Sequence, residues 1–250
     1  MTNLPQGYQL RHLSEVDSTN EEARRMAAAQ ETVPTWIIAD RQTAGRGRRG
    51  REWVSPVGNL MTTLYLPHSF DAVTAGQIAF VAGLALESTV RELIGARAAV
   101  GLKWPNDVLV DGKKASGILL ESAMRDNRVD WLAVGLGLNL VHYPDDTPYP
   151  ATAIAAYSDT PPTNLEALAV LAKAFDGVYR QWQSGSFSSI LHAWREVAHG
   201  LGGPIVARLE NNEIEGIFMD IDDKGALILK DNDGATHVVD AGDVFFPERD

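Results

Sequence analysis

The chain has 250 residues, 45% of them hydrophobic and 8% aromatic, enough to bury one full domain core and a smaller second one. It carries 22 Lys+Arg against 33 Asp+Glu, a formal net charge of -11 that argues against broad binding to nucleic acid or anionic lipid. There is no cysteine, which removes disulfides, thiolate metal sites and a cysteine nucleophile, and fits a cytoplasmic protein.

The first five residues lack a basic segment leading into an apolar run, so no signal peptide is expected. Ser18 and Glu21 have the spacing of a capping box, and a first helix is expected from there through Gln30. Trp36 to Ala39 reads as a short buried strand, and Leu60 to Leu66 as a second. Between them lies Gly45-Arg46-Gly47-Arg48-Arg49-Gly50, and Arg41, Arg46, Arg48, Arg49 and Arg51 fall within eleven residues of this acidic chain. Glycine permits close backbone approach, and guanidinium forks grip carboxylate or phosphate oxygens in pairs, so the loop is built to wrap an anion. It matches neither a P-loop nor a GxGxxG turn, so a nucleotide would be held by another geometry.

Ala75 to Leu93 has apolar residues at helical spacing and stops near Gly95, as a core helix does, while its most apolar run, Ile78 to Leu86, is too short to span a bilayer. Lys103-Trp104-Pro105-Asn106-Asp107 follows, held out of helix by its proline. Val108 to Val110 and Ile118 to Leu120 flank Asp111-Gly112, a tight-turn dipeptide. In a two-residue hairpin Val110 faces Lys113, Leu109 faces Lys114, and Asp107 lies near Ser116. Two lysines and one aspartate then share a small site. A third strand, Trp131 to Leu140, follows a polar turn at Arg125 to Arg128 and contains Gly135-Leu136-Gly137-Leu138-Asn139; glycine inside a strand costs stability unless a ligand or backbone comes close. Leu165 to Gln183 and Ser189 to His199 read as helices.

These elements predict an α+β fold: a mixed sheet, antiparallel in its hairpins, covered on one face by helices. The run Gly200-Leu201-Gly202-Gly203-Pro204 breaks the pattern and sets the expected boundary between domains at 1-203 and 204-250. Beyond it, Ile205 to Leu209, Ile214 to Ile221, Leu227 to Lys230 and His237 to Val239 are short strands, separated by Asn211-Asn212 and two Asp/Gly turns. They predict a small SH3-like β-barrel.

Taken together, GRGRRGREW (Gly45 to Trp53), KWPND (Lys103 to Asp107), Lys114-Ala115-Ser116-Gly117-Ile118-Leu119 and GLGLN (Gly135 to Asn139) resemble the biotin protein ligases. Ser18-Thr19-Asn20 and Gln42 fall in the family's order as well. The resemblance implies an enzyme that condenses biotin with ATP to biotinyl-5'-AMP and transfers biotin to a lysine of a biotin carboxyl-carrier domain, such as that of acetyl-CoA carboxylase. It implies biotin contacts from Ser18, Thr19, Asn20, Gln42, Arg46, Gly47, Arg48, Lys114, Gly117 and Gly135. The nucleotide is expected near Arg46, Arg48, Trp53, Lys103, Asn106, Lys114 and Asn139, with Mg2+ shielding its phosphates through ligands the sequence does not name. Arg46, Arg48 and Lys114 are expected to neutralise the reacting anions, and Asp107 to take the proton of the acceptor lysine. Gly117 and Gly135 are expected to be small so that the bicyclic ring lies on backbone, and the arginine loop to order over bound biotin.

About seventeen residues precede Ser18, too few for a helix-turn-helix unit, so the repressor role of some family members is not expected here. Two rivals stay open. A lipoate or octanoate ligase shares the fold but has a different glycine-arginine signature, and an anion- or RNA-binding module would leave KWPND and GLGLN idle.

Overall fold

The computed structural model describes residues 3–147, 149–210 and 212–247. A first sheet has seven strands: β1 (Gln9–Val16), β2 (Thr35–Gln42), β3 (Leu60–Leu66), β4 (Val100–Lys103), β5 (Asp107–Val110), β6 (Lys113–Arg125) and β7 (Arg128–Leu138). Their spatial order is β1-β2-β3-β7-β6-β5-β4, with β1 and β2 parallel and every other neighbour pair antiparallel. Helix α1 (Thr19–Ala28) makes the crossover between the parallel pair; α2 (Ala72–Ile94), α3 (Asn164–Ser184) and α4 (Phe187–Glu196) follow. The mixed sheet expected from the sequence is present.

Alternation along the strands divides the core. Trp36, Ile38, Leu64 and Val134 point to one face and pack against Ile78, Val81 and Leu86 of α2, Phe175 of α3 and Trp194 of α4. Ile37, Tyr65 and Ala133 point the other way and meet Ala23 and Met26 of α1. Helices therefore lie on both faces, which corrects the expectation of one covered face: α1 is short, but its stripe of Ala23 and Met26 is spaced three apart and needs its own apolar floor. The stretch 72–97 is long and apolar enough to cross a membrane by length and composition, yet most of it is buried at the centre of this fold. Truncating one of its fully buried residues, Leu86→Ala, would cost about 2–5 kcal/mol.

The β5–β6 hairpin turns on Asp111 and Gly112, both at positive φ (48° and 74°). Val110 opposes Lys113 and Leu109 opposes Lys114 as expected, but a bulge at Ala115 then shifts the register, so Asp107 opposes Gly117 and not Ser116. The predicted capping box at α1 is also absent. Ser18 sits at the N-cap without a side-chain cap bond; its own backbone N–H donates to Asp17 Oδ1 at 2.8 Å, and the Glu21 carboxylate pairs instead with the guanidinium groups of Arg24 and Arg46. The box forms instead at α3, between Thr163 and Glu166.

A second, antiparallel sheet comprises β8 (Pro204–Arg208), β9 (Glu213–Ile221), β10 (Leu227–Asp231), β11 (Thr236–Val239) and β12 (Asp243–Phe245), in the order β11-β10-β9-β8-β12. Four of these strands match the expected small β unit, and β12 is additional. Asn211 of the predicted Asn211-Asn212 turn lies outside the described residues. The two sheets are tied together: the Trp104 indole N–H donates to the Gly225 carbonyl at 2.9 Å, and Arg195 Nε pairs with Asp220 at 2.6 Å.

Candidate active site

A cavity of about 390 Å³ opens where β2, β6 and β7 meet the glycine-arginine loop, and every candidate site residue named from the sequence lines it. Its floor is backbone. Gly117 on β6 pairs with Gly137 on β7, and Gly135 pairs with Leu119. A Cβ on Gly137 would lie 2.5 Å from the Trp53 ring, and one on Gly135 would lie 2.4 Å from Asn20 Oδ1. The floor glycines thus make room for Trp53 and Asn20; at Gly135 the expected space for a ligand ring is filled by an amide side chain.

One end is polar and neutral. Gln42 Oε1 accepts from the Thr19 backbone N–H at 2.8 Å and lies 3.1 Å from Thr19 Oγ1, while its Nε2 donates to Ser55 at 2.9 Å. Ser18, Thr19 and Asn20 are each about 5% exposed. With no capping duty, the Ser18 hydroxyl stays with the cavity wall.

The other end is cationic around one carboxylate. Lys114 Nζ lies 2.7 Å from Asp107 Oδ1 and Lys103 Nζ lies 3.8 Å from Oδ2. Among the described residues the buried Oδ1 has no partner besides the Lys114 ammonium. The second lysine of the predicted triad is Lys103; Lys113 is exposed on the far side of the hairpin. Lys103 also lies 3.8 Å from the centroid of the Tyr149 ring. Burial pushes the Lys103 pKa down to about 8, aided by Lys114 and opposed by Asp107. Burial likewise pushes the Tyr149 phenol up to about 12, with the Asp107 charge acting in the same direction. Asn106 bridges this end to the loop, donating to the Ile118 carbonyl at 2.7 Å and accepting from Arg48 Nη1 at 3.0 Å. Asn139 is 3% exposed and donates to the Thr152 carbonyl at 3.1 Å, holding the turn after β7 against β6.

The loop is closed by the Trp53 N–H to Gly45 carbonyl bond (3.0 Å) and the Gly47 N–H to Arg51 carbonyl bond (2.7 Å). Gly45 is required there, since a Cβ would lie 2.5 Å from the Trp53 carbonyl oxygen. The two arginines expected to act together are separated. Arg48 turns into the cavity towards Asn106, whereas Arg46 lies at the rim, 3.4 Å from Glu21 and 3.3 Å from Glu121.

Several lining residues carry no local sequence signal. Asp243 of β12 lies 2.7 Å from Arg51, 3.3 Å from Arg49 and 4.0 Å from Arg48. Burial would raise its pKa, but the hydrogen bond from Arg51 and the three guanidinium charges outweigh that and hold it below the usual carboxylate range. Asp146, Thr147, Tyr149 and Phe245 complete the wall beside the cations. Gly137 did have a signal: it sits two residues from Gly135 and so shares its face of the strand. Chemically, the arrangement offers hydrogen-bonding groups to an uncharged head at one end. At the other it offers cations to two acids brought together.

Residues 13–139 match the Biotin/lipoate A/B protein ligase family, and residues 200–246 match the Biotin protein ligase C terminal domain. The chain is 42% identical to the biotin–acetyl-CoA-carboxylase ligase of Paracoccus denitrificans over 94% of its own length and 99% of that protein's. Its structure is similar to that of the Aquifex aeolicus biotin protein ligase in complex with biotin and ATP, with a TM-score of 0.78 and 28% identity over 95% of this chain and 97% of that one. It is also similar to the Leishmania major biotin protein ligase in complex with biotinyl-5-AMP, with a TM-score of 0.66 and 25% identity over 95% of this chain and 100% of that one. With the two halves of the chain matching in the same order as the two sheets, it belongs to the biotin protein ligase family.

Proposed function

We infer that the chain condenses biotin with ATP and transfers the biotinyl group to a lysine of a biotin carboxyl-carrier domain of a carboxylase. The observation that carries this reading is a single cavity with a neutral hydrogen-bonding end (Ser18, Thr19, Gln42) and a cationic end (Arg48, Lys103, Lys114). Relatives act on acetyl-CoA carboxylase or hold biotin, ATP or the adenylate, which supports both the substrates and the order of the steps.

In the first step a biotin carboxylate oxygen attacks the α-phosphorus of ATP and pyrophosphate leaves. Both partners are anions, so Lys114 and Arg48 neutralise charge where it accumulates, and Lys103 and Asn106 hold the nucleotide side. In the second step the carrier amine attacks the acyl carbon and AMP leaves. Asp107, held at the cationic end by Lys114 and Lys103, takes the proton from that amine. Trp53, lying on the glycine floor, re-packs against bound ligand, and closure of the loop shields the mixed anhydride from water.

Magnesium belongs to the same proposal. Among the described residues no group of three or more His, Asp or Glu side chains is placed to hold a metal ion, and Asp107 and Asp243 are already paired with cations. The residues do not make a dedicated cage; the ion arrives on the ATP phosphates. The division at 203/204 and a cytoplasmic location complete the reading, the latter resting on the absence of cysteine. A lipoate- or octanoate-type ligase is disfavoured because a plain acyl chain makes no use of the Thr19 and Gln42 groups. An RNA-binding module is disfavoured because Arg49 and Arg51 face the internal carboxylate of Asp243.

Pyrophosphate release tests the reading: release that requires both biotin and ATP supports it, and release with lipoate or octanoate in place of biotin overturns it.

A further inference from the structure

Thr63, at the centre of β3, is fully buried, yet its hydroxyl lies 2.6 Å from Asn20 Oδ1 and 2.8 Å from Thr19 Oγ1. It stands opposite Gly135 in the sheet and does not line the cavity. Nothing in the chemistry derived above uses it.

The directions of the hydrogen bonds around it follow from which groups can only accept. Glu121 Oε2 is a carboxylate oxygen 2.7 Å from Asn20 Nδ2, so it fixes that amide with its N–H2 towards Glu121 and its oxygen towards Thr63. Asn20 Oδ1 cannot donate, so Thr63 gives it its only proton. Two oxygens are within reach of the Thr19 hydroxyl proton, Gln42 Oε1 at 3.1 Å and Thr63 Oγ1 at 2.8 Å; with the Thr63 proton committed to Asn20, the shorter contact takes it and the Thr63 oxygen accepts from Thr19. With that proton directed inward, Thr19 Oγ1 turns lone pairs to the cavity, next to Gln42 Oε1, itself an acceptor 3.1 Å away. The wall at this end therefore presents acceptors.

We propose that Thr63 is the positioning residue that sets this polarity, so that the neutral end of the cavity selects an acid whose head carries N–H donors, as a cyclic urea does. The proposal rests on the biotin reading and adds to it the residue that imposes the head-group preference. Thr63→Val keeps the shape and removes the proton, leaving Asn20 Oδ1 unpaired in a buried setting and Thr19 free to turn its hydroxyl towards Gln42. Thr63→Ser keeps the proton.

The test is steady-state pyrophosphate release by the full chain with biotin and ATP varied separately. In Thr63→Val, KM for biotin rises about tenfold, the usual scale for stranding one buried hydrogen-bonding group, while KM for ATP and kcat stay within about twofold. Thr63→Ser restores the wild-type KM for biotin. If the valine variant does not fold, Thr63→Ala is read in the same assay with the same expectation. An unchanged KM for biotin, or an equal loss in all three parameters that serine does not rescue, overturns the proposal. Wild-type protein without biotin-dependent release overturns the biotin reading itself, a separate outcome.

Discussion

Lys114 Nζ lies 2.7 Å from Asp107 Oδ1 across the β5–β6 hairpin, and the bulge at Ala115 sets Asp107 opposite Gly117. Without that extra residue Asp107 would oppose Ser116, one position off the glycine floor. The contact holds a cation and a proton acceptor side by side, one for each step of the proposed reaction.

Asp107→Asn separates the steps. Adenylate formation, followed as biotin-dependent pyrophosphate release, should stay within about tenfold of wild type, while transfer to a carrier lysine should slow by about 10²–10⁴-fold, the range for a lost general base. Equal losses in both assays would leave Asp107 as a holder of Lys114 and Lys103 only.

Lys114→Met should act on the first step. Loss of one cation aimed at developing charge slows adenylate formation by about 10²–10³-fold. Single-turnover measurement with preformed biotinyl-5'-AMP should show transfer much less affected.

The two loop arginines should differ. Arg48 is bound to Asn106 inside the cavity, and Arg46 is paired with Glu21 and Glu121 at the rim. Arg48→Gly should therefore release adenylate faster than Arg46→Gly, read as labelling of bystander lysines on an unrelated protein. The reverse order would mean that the loop rearranges completely around ligand.

Lys103 makes the first step pH-dependent. Its pKa is lowered to about 8 from 10.5 by burial, so the ammonium of the free enzyme is lost as pH rises through about 8. Above that, kcat/KM for ATP should fall about tenfold per pH unit, and Lys103→Met should lower activity and abolish this limb. The sign for stability is opposite. Between about pH 8 and 10.5 the unfolded chain binds the proton that the folded one has released, so this group makes the fold more stable as pH rises. Urea titrations of wild type and Lys103→Met across that window compare the two slopes.

Strand β3, helix α2 and the Asp111-Gly112 turn were legible in the sequence because periodicity and turn chemistry are local properties. The bulge at Ala115 was not, since alternation shows which residues share a face but not where a strand carries one residue too many. Strand β1 was missed for a related reason: Gln9–Val16 is a half-exposed edge strand with few apolar residues, and β12 has only three residues. In the site, the glycines and lysines announce themselves by type and spacing. Asp243 and Tyr149 do not, because an ordinary aspartate and an ordinary tyrosine become part of the wall only when remote segments fold against the loop. Thr63 is the extreme case, a strand threonine whose role lies entirely in two neighbours brought to it by α1.

The most direct test of the central claim is to incubate the purified chain with labelled biotin, ATP and a biotin carboxyl-carrier domain. Label is expected on a single carrier lysine, with one AMP and one pyrophosphate formed for each biotin transferred. Pyrophosphate formed without biotin, or a carrier left unlabelled while adenylate accumulates, would contradict it.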